Sequence, residues 1–540
     1  MKKVIVIGSG ISGLFSALTL AEANHEVLIF SPSFPERSQS TMAAGGINAV
    51  IHTDNGDSIE SHIEDTFKGG CYIEDRKVIE GLCNTAPEII KKLESYGMIF
   101  SRNKDGSIAT RSFGGQSYPR TCYSGTCTGK QIVSCLSRQI MQYVNKGIIT
   151  YHFGYHFHSA LIRNNTCYGA ILYNEKEFKT EIFYADALIV ATGGQHSLFG
   201  HTTGGSYSDG YTVGKLFEQG VYLRNLEFIQ YHPTTISSPI KNFLISEAAR
   251  GEGGRLYYLN DNDERVYFME DKYGPKGNLM PRDIVSRCIS ECPSQVYLDV
   301  TFLGKKLIIE RLYEVYELCN LYFALDISKS PIPVSPGIHF FMGGVNVDIN
   351  HQTNIKNLYA VGECASMYHG ANRLGGNSLL AACYSGYKAG THISSIDEEK
   401  ETISFEEEFN KISNDLDKLR NSRSTFSASS LLNDVYLILD RSLGITRNEE
   451  DLLKGIADIN FYIEKAKEIN FDKDAELYNA YRIHNMLLLA KAILTSALER
   501  KESRGAHQRK DYPETKNEYA CPSIAKYEDH KITVLFKGKE

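Results

Sequence analysis

At 540 residues the chain is too long for one ordinary hydrophobic core and calls for roughly two to four domains. Its 42% hydrophobic and 23% charged residues are those of a water-soluble globular protein, and a net charge of -7 lacks the basic footprint of a nucleic-acid binder. No apolar run approaches the roughly 18 residues of a membrane span. The twelve cysteines form no CxxC or CxxCH motif, and Cys122/Cys127 and Cys288/Cys292 are not spaced as zinc or cluster ligands, so they read as reduced thiols and the chain carries no metal, iron–sulfur cluster or c-type haem of its own.

In chain order, the first element is "KKVIVIGSGISGLFSALTLAEANHEVLIFS", Lys2 to Ser31. Val4 to Ile7 is an apolar strand, Gly8, Gly10 and Gly13 spell GxGxxG, Leu14, Ala17 and Leu18 recur at helical spacing, and "EVLIF" is a second strand. Strand, glycine turn, helix and strand together make a dinucleotide site: the glycines permit a tight turn and close backbone approach, and the pyrophosphate sits at a helix N-terminus. The second strand ends at Ser31 rather than at an acidic ribose ligand, which weakens a simple NAD reading. The strand begins near residue 3, leaving no room for a signal peptide, and predicts a cytoplasmic protein.

Two further apolar strands end in glycine turns, "ADALIVATGG" (Ala185 to Gly194) and "KNLYAVGEC" (Lys356 to Cys364). These boundaries predict an α/β, Rossmann-like nucleotide domain assembled from residues 1–224 and 336–400, with residues 225–335 as an inserted α+β capping domain. Residues 404–510 have charged, helix-period sequence and predict a helical domain; residues 511–540 read as a polar tail without a clear element.

The motifs "SFPERSQSTMAAGGINAV", "GGQSYPRT", "SDGYTVG", "FIQYHPTT", "ISEAARGEGG", "MPRDIVSR", "PGIHFFMGGV", "GECASMYHGANRLGGNSLL" and "ERKESRGAHQRKDYPE" follow one another from about residue 3 to 515. Together they resemble the flavoprotein subunits of succinate dehydrogenase and fumarate reductase, with L-aspartate oxidase as a near relative. The resemblance implies FAD, lying along Gly8, Gly10 and Gly13, with Ser31 near the ribose, Ser38, Gly45 and Gly46 at the flavin, Asp209 in a cofactor-contacting loop, Glu363 at the ribityl region, and Ser378 and Leu379 at the flavin end. It further implies a C4-dicarboxylate substrate. Arg373 and His339 hold one carboxylate, and His232 and Ser246 the other, Ser246 replacing the family's usual Thr. Arg282 is the proton donor, with Glu247 and Arg250 as its relay. His369 is as suited to packing beside Arg373 as to contact.

Two departures matter. Gln39 stands in "RSQST" where membrane-complex relatives have the His joined covalently to flavin; an amide has no nucleophilic nitrogen of that kind, so the FAD is expected to be noncovalent and fumarate reduction favoured over succinate oxidation. Phe113, in "RSFGGQS", replaces the Glu by which aspartate oxidases pair with the substrate ammonium. L-aspartate oxidase therefore remains the alternative enzyme, and an inactive FAD-holding interaction subunit the alternative of another class. Fumarate and succinate are the expected ligands. The electron donor is unassigned, an iron–sulfur subunit being the family's usual solution, and any membrane contact runs through a partner subunit.

Overall fold

The computed structural model describes residues 1–125, 127–239, 241–397, 403–420, 427–467 and 474–536. A five-stranded parallel sheet runs in the order Leu358–Ala360, Ala187–Val190, Lys3–Ile7, Glu26–Ser31, Ile149–Phe153. Strands covered on both faces need continuous apolar sequence, and Val4, Ile5, Val6, Leu188, Ile189 and Val190 are all fully buried. The three strand–glycine boundaries of the sequence thus become adjacent strands, and their C-terminal ends open onto one crevice, where ligands of such sheets bind.

Helix Ile11–Glu22 follows the first glycine turn and packs along helix Asn377–Ser395. Gly386 and Gly390 make this approach possible: a Cβ on Gly386 would sit 2.5 Å from the Ser12 carbonyl oxygen, and one on Gly390 2.9 Å from Thr19 Cβ. The two helices therefore bring their N-termini to the same crevice.

Over the crevice lies a six-stranded antiparallel sheet, ordered Asn242–Leu244, Ile229–Ser237, Ile332–Phe341, Val296–Asp299, Arg255–Leu259, Arg265–Val266, with its own buried core around Leu256, Val285, Leu298 and Ile332. Strand Ile332–Phe341 runs unbroken through position 335/336, where the sequence suggested a boundary. Its pairing with Ile229–Ser237 is irregular between Gln230 and Tyr231 and again between His232 and Thr235. Such bulges re-aim side chains, and here they flank His232.

Helices Glu406–Arg420, Ala428–Ser442, Glu449–Ala466 and Asp474–Glu499 follow. The terminal segment, read from sequence as a tail without an element, is instead a hairpin of Ser523–Glu528 and Lys531–Phe536 that joins Leu223–Arg224 in a second five-stranded sheet. Its two-residue turn places Asp529 and His530 at φ 49° and 60°, the left-handed pair that matches strand twist in a tight hairpin. Among the described residues no helix is long and apolar enough to cross a membrane.

Candidate active site

A cavity of about 870 Å³ lies between the parallel sheet and the sheet above it. Gly8, Gly10, Ser31, Ser38, Gly45, Gly46, Asp209, Glu363, Ser378 and Leu379 all line it, as do His232, Ser246, Glu247, Arg282, His339 and Arg373. Gly13 and Arg250 stand just behind the wall. A Cβ on Gly13 would be 2.2 Å from the Gly8 carbonyl oxygen, and one on Gly8, at φ 112°, 2.3 Å from that of Ala191.

One end of the cavity suits a dinucleotide. Helix Ile11–Glu22 begins at Gly10 without a side-chain cap, and helix Asn377–Ser395 begins at Gly376, φ 83°, also uncapped. Helix N-termini offer free N–H groups and positive potential to anionic ligand groups. Ser38 Oγ is buried without a hydrogen-bond partner, a polar atom that a ligand would satisfy. Ser31 Oγ is 2.8 Å from Ser9 Oγ and donates to Ser33 O at 2.7 Å. Asp209 accepts the Tyr211 N–H at 2.8 Å and pairs with Arg482, so its carboxylate braces the wall from the C-terminal helices. Glu363 Oε1 accepts the Phe341 N–H at 3.1 Å and lies 3.3 Å from His196 Nε2. Gly45 backs onto Phe113, 3.0 Å from where its Cβ would be. Gln39 Nε2 donates to Thr203 O at 3.2 Å. This cradle fits FAD.

The other end is cationic. Arg282 opens helix Arg282–Ser290 and gives two hydrogen bonds to Glu247 Oε2, from Nε at 3.0 Å and from a terminal nitrogen at 2.7 Å. Its other terminal nitrogen donates to Gln230 Oε1 at 3.0 Å. Glu247 Oε1 accepts the Gly114 N–H at 2.8 Å and lies 3.5 Å from the Arg250 guanidinium. Burial alone would raise the Glu247 pKa, but the charges of Arg282 and Arg250 outweigh it and hold the group at about 2. Arg250 also donates to Asn278 O at 2.7 Å.

Arg373 is different. It is 3% exposed, its guanidinium lies 4.4 Å from the centre of the Phe340 ring, and among the described residues no carboxylate pairs with it. Its Nε is buried without a partner. Burial, then the nearby Arg282 charge, pushes its pKa well below the usual guanidinium value. A buried cation without a counter-charge is costly, and a ligand carboxylate would relieve it.

The two histidines face the same space, with ring centres 5.1 Å apart. His232 Nδ1 is engaged by Thr234, whose N–H is 3.2 Å away and whose carbonyl oxygen is 3.1 Å away; His339 Nδ1 is 2.8 Å from Thr203 Oγ1. The Nε2 atoms are therefore the ones left for a ligand. Burial, reinforced by Arg282, keeps both rings well below the usual histidine pKa and hence neutral. Ser246 Oγ accepts the Ala248 N–H at 3.3 Å, leaving its own proton to give. His369 packs edge-on to Phe340 at 5.2 Å, and burial beside Arg373 lowers it to about 3.

Sequence reasoning passed over Gln230 and Thr203. Gln230 Nε2 donates to the Arg373 carbonyl oxygen and to Asn372 Oδ1, both at 2.8 Å, while its oxygen holds Arg282. Its place two residues before His232 in "FIQYHPTT" was the available signal.

A nucleotide-cradling crevice joined to a cationic pocket defines a flavin-dependent oxidoreductase, and the FAD binding domain family matches residues 3–379. The C-terminal family of fumarate reductase flavoproteins matches residues 433–538. The succinate dehydrogenase flavoprotein subunit of Bacillus subtilis is 35% identical, the alignment covering 97% of this chain and 94% of that protein. The fumarate reductase flavoprotein subunit of Haemophilus influenzae is 32% identical over 95% of this chain and 89% of its own. Among solved structures, a variant of E. coli quinol fumarate reductase superposes with a TM-score of 0.90 at 30% identity, covering 99% of this chain and 97% of that one. The chain belongs to the succinate dehydrogenase and fumarate reductase flavoprotein family.

Proposed function

We propose that this protein reduces fumarate to succinate with noncovalently held FAD, and that it works with an electron-donating partner subunit carrying iron–sulfur clusters, at the cytoplasmic face of a membrane or in the cytoplasm. The observation that carries the reading is the buried Arg373 guanidinium, without a carboxylate partner among the described residues, facing the Arg282–Glu247 ion pair across one cavity.

Arg373 and His339 Nε2 take one substrate carboxylate, and His232 Nε2 and Ser246 Oγ the other. This fixes the C=C bond against the flavin end of the cavity. Bound FAD would supply the two-electron chemistry, giving a hydride equivalent to one carbon of that bond. Arg282 serves the other carbon. Of its five N–H protons three are spent on Glu247 and Gln230, which leaves one on each terminal nitrogen for the substrate. Its charge also opposes the negative charge that builds on carbon. Glu247, held ionised between Arg282 and Arg250, is the path by which Arg250 restores the proton to Arg282. The unit from 225 to 335 carries Ser246, Glu247 and Arg282, and its closure over the nucleotide-binding unit would complete the site and exclude water.

Gln39 supports noncovalent attachment, because its amide is occupied with Thr203 O and is no nucleophile. Phe113, 3% exposed in the cavity wall, supports an unsubstituted dicarboxylate over L-aspartate. The test is an assay of the FAD-loaded protein with fumarate and a reduced dye, succinate and an oxidised dye, and L-aspartate. Fumarate should turn over fastest; L-aspartate turning over faster than fumarate overturns the reading.

A further inference from the structure

Among the described residues the side chain of Arg373 makes no hydrogen bond that would hold it, so the backbone of its loop must. Both backbone polar groups of Ala371 are taken by other loops: its N–H donates to Gly70 O at 3.0 Å, and its carbonyl accepts the Ala506 N–H at 2.9 Å. Its methyl group is fully buried in a small cluster with Ile73, Phe228, Phe340, Met342 and Ala506. Phe340 is also the ring under the Arg373 guanidinium.

The loop that presses on Ala371 from behind belongs to "ESRGAH", a segment for which the proposed function has no use. It turns tightly: the Arg504 N–H donates to His507 O at 2.7 Å and the His507 N–H to Arg504 O at 3.0 Å. Gly505, at φ 53°, fits so closely that a Cβ would lie 2.6 Å from the Ala371 oxygen. Two glutamates and two arginines anchor this turn in the interior. Glu502 Oε1 accepts from Arg504 Nε at 2.7 Å and from Arg500 at 3.0 Å, and Arg500 Nε donates to Glu227 at 2.6 Å. Glu227, Arg500 and Glu502 are fully buried. Arg504 then reaches Cys71 O at 3.1 Å. Cys71 stands next to Gly70, which holds the other side of Ala371. One buried charge network therefore grips both loops between which the Arg373 loop is held.

We propose that the Arg504–Gly505–Ala506 turn is the positioning element of the substrate clamp: it sets the reach of Arg373 by fixing Ala371, and so sets affinity for the dicarboxylate. This rests on Arg373 being the carboxylate clamp. The geometry is asymmetric in a useful way. Arg509 braces the same segment through Asp511 at 2.6 Å and Ala497 O at 2.9 Å, and none of its hydrogen bonds goes to Ala371 or Cys71.

The experiment measures succinate binding by the flavin absorbance of the FAD-loaded full chain, with fumarate KM and kcat, FAD content and Tm, for the parent and for Gly505→Ala, Arg504→Lys, Arg509→Lys and Arg373→Ala. Gly505→Ala should weaken succinate binding by roughly tenfold or more and raise KM more than it lowers kcat, since a displacement of about 1 Å in a positioning group costs that much. FAD content should stay at the parent level. Arg504→Lys keeps a charge but loses the fork, and should shift binding in the same direction by less; it carries the test if Gly505→Ala does not accumulate. Arg509→Lys should lower Tm and leave binding unchanged. The proposal is overturned if Gly505→Ala, or Arg504→Lys in its place, binds succinate within about twofold of the parent, or if all three variants lose binding in proportion to Tm. Should Arg373→Ala itself bind succinate as the parent does, the clamp reading fails instead, and the positioning proposal with it.

Discussion

Glu247 Oε2 accepts two hydrogen bonds from the single guanidinium of Arg282, at 3.0 and 2.7 Å, in a site where Glu247 is 3% exposed. The pair is buried, charge-assisted and directional, so it holds the Arg282 plane toward the cavity; in the proposed function it is also the route of the proton. Glu247→Gln keeps the shape and removes the charge. Two guanidinium groups then lose their shared counter-charge, which costs folding about 3–5 kcal/mol, visible as a lower Tm. Fumarate turnover should fall by about 10² or more. Dicarboxylate binding should persist, because the pocket becomes more cationic. Parent-like turnover in Glu247→Gln would remove Glu247 from the proton path.

The cofactor should leave the protein intact. Acid precipitation is expected to release yellow FAD into the supernatant, since Gln39 offers only an amide already bonded to Thr203 O. Gly8→Ala should yield protein with little flavin, its Cβ falling 2.3 Å from the Ala191 oxygen at φ 112°. The ratio of flavin to protein absorbance checks both. Flavin retained in the acid pellet would point to another attachment residue.

Phe113 is expected to decide which substrate the pocket accepts. Its ring backs Gly45, and a Cβ on Gly375 would lie 3.1 Å from Phe113 Cβ and 3.2 Å from Glu247 Oε2. A carboxylate at 113 thus stands beside Glu247. Phe113→Glu should raise L-aspartate oxidation relative to the parent. It should also lower kcat/KM for fumarate by roughly tenfold or more, because like charges in contact cost several kcal/mol. Unchanged rates with both substrates would contradict this.

Acid should destabilise the protein well before carboxylates titrate. Burial lowers His62 and His351 to about 4 and His369 to about 3, and it also holds His158, His232, His339 and His507 well below the ordinary histidine value. In the unfolded chain these rings take protons near pH 6.5. Stability is therefore full above that pH and falls as pH drops from about 6.5 toward 4, each such ring contributing up to about 1.4 kcal/mol per pH unit. Asp283, raised by burial, runs the other way but is a single group. Calorimetric Tm between pH 7.5 and 5 should fall steeply; a flat profile would mean that the buried rings are protonated in the folded state.

The parts of the molecule that were legible in the sequence are those whose signal is local. Gly8, Gly193 and Gly362 each end an apolar run, and the runs become neighbouring strands. His232, Arg282 and Arg373 each sit in a contiguous motif. What stayed hidden depends on residues far apart in the chain. Gln230 matters because it joins Arg282 to the Arg373 loop, a contact across 143 positions. Asp209 is spent on Arg482, 273 positions away. The hairpin ending at Phe536 was missed because "SIAKYE" is short and half polar; it becomes a strand by pairing with "KITVLF" on one side and with Leu223–Arg224, some 300 positions earlier, on the other.

The central claim is that Arg373 binds and Arg282 delivers the proton, and the most direct measurement compares succinate binding with fumarate turnover in Arg373→Ala and Arg282→Ala. A charge-assisted hydrogen bond contributes roughly 1.5–3 kcal/mol, so Arg373→Ala should weaken binding by about tenfold or more. Arg282→Ala should retain binding through His232, Ser246, His339 and Arg373, while turnover at saturation falls by about 10² or more; Arg282→Lys should recover part of it, having a charge and a proton but no planar fork. If Arg282→Ala instead loses succinate binding as badly as Arg373→Ala and keeps near-parent turnover at saturation, Arg282 is a binding residue and the proton path through Glu247 and Arg250 is wrong.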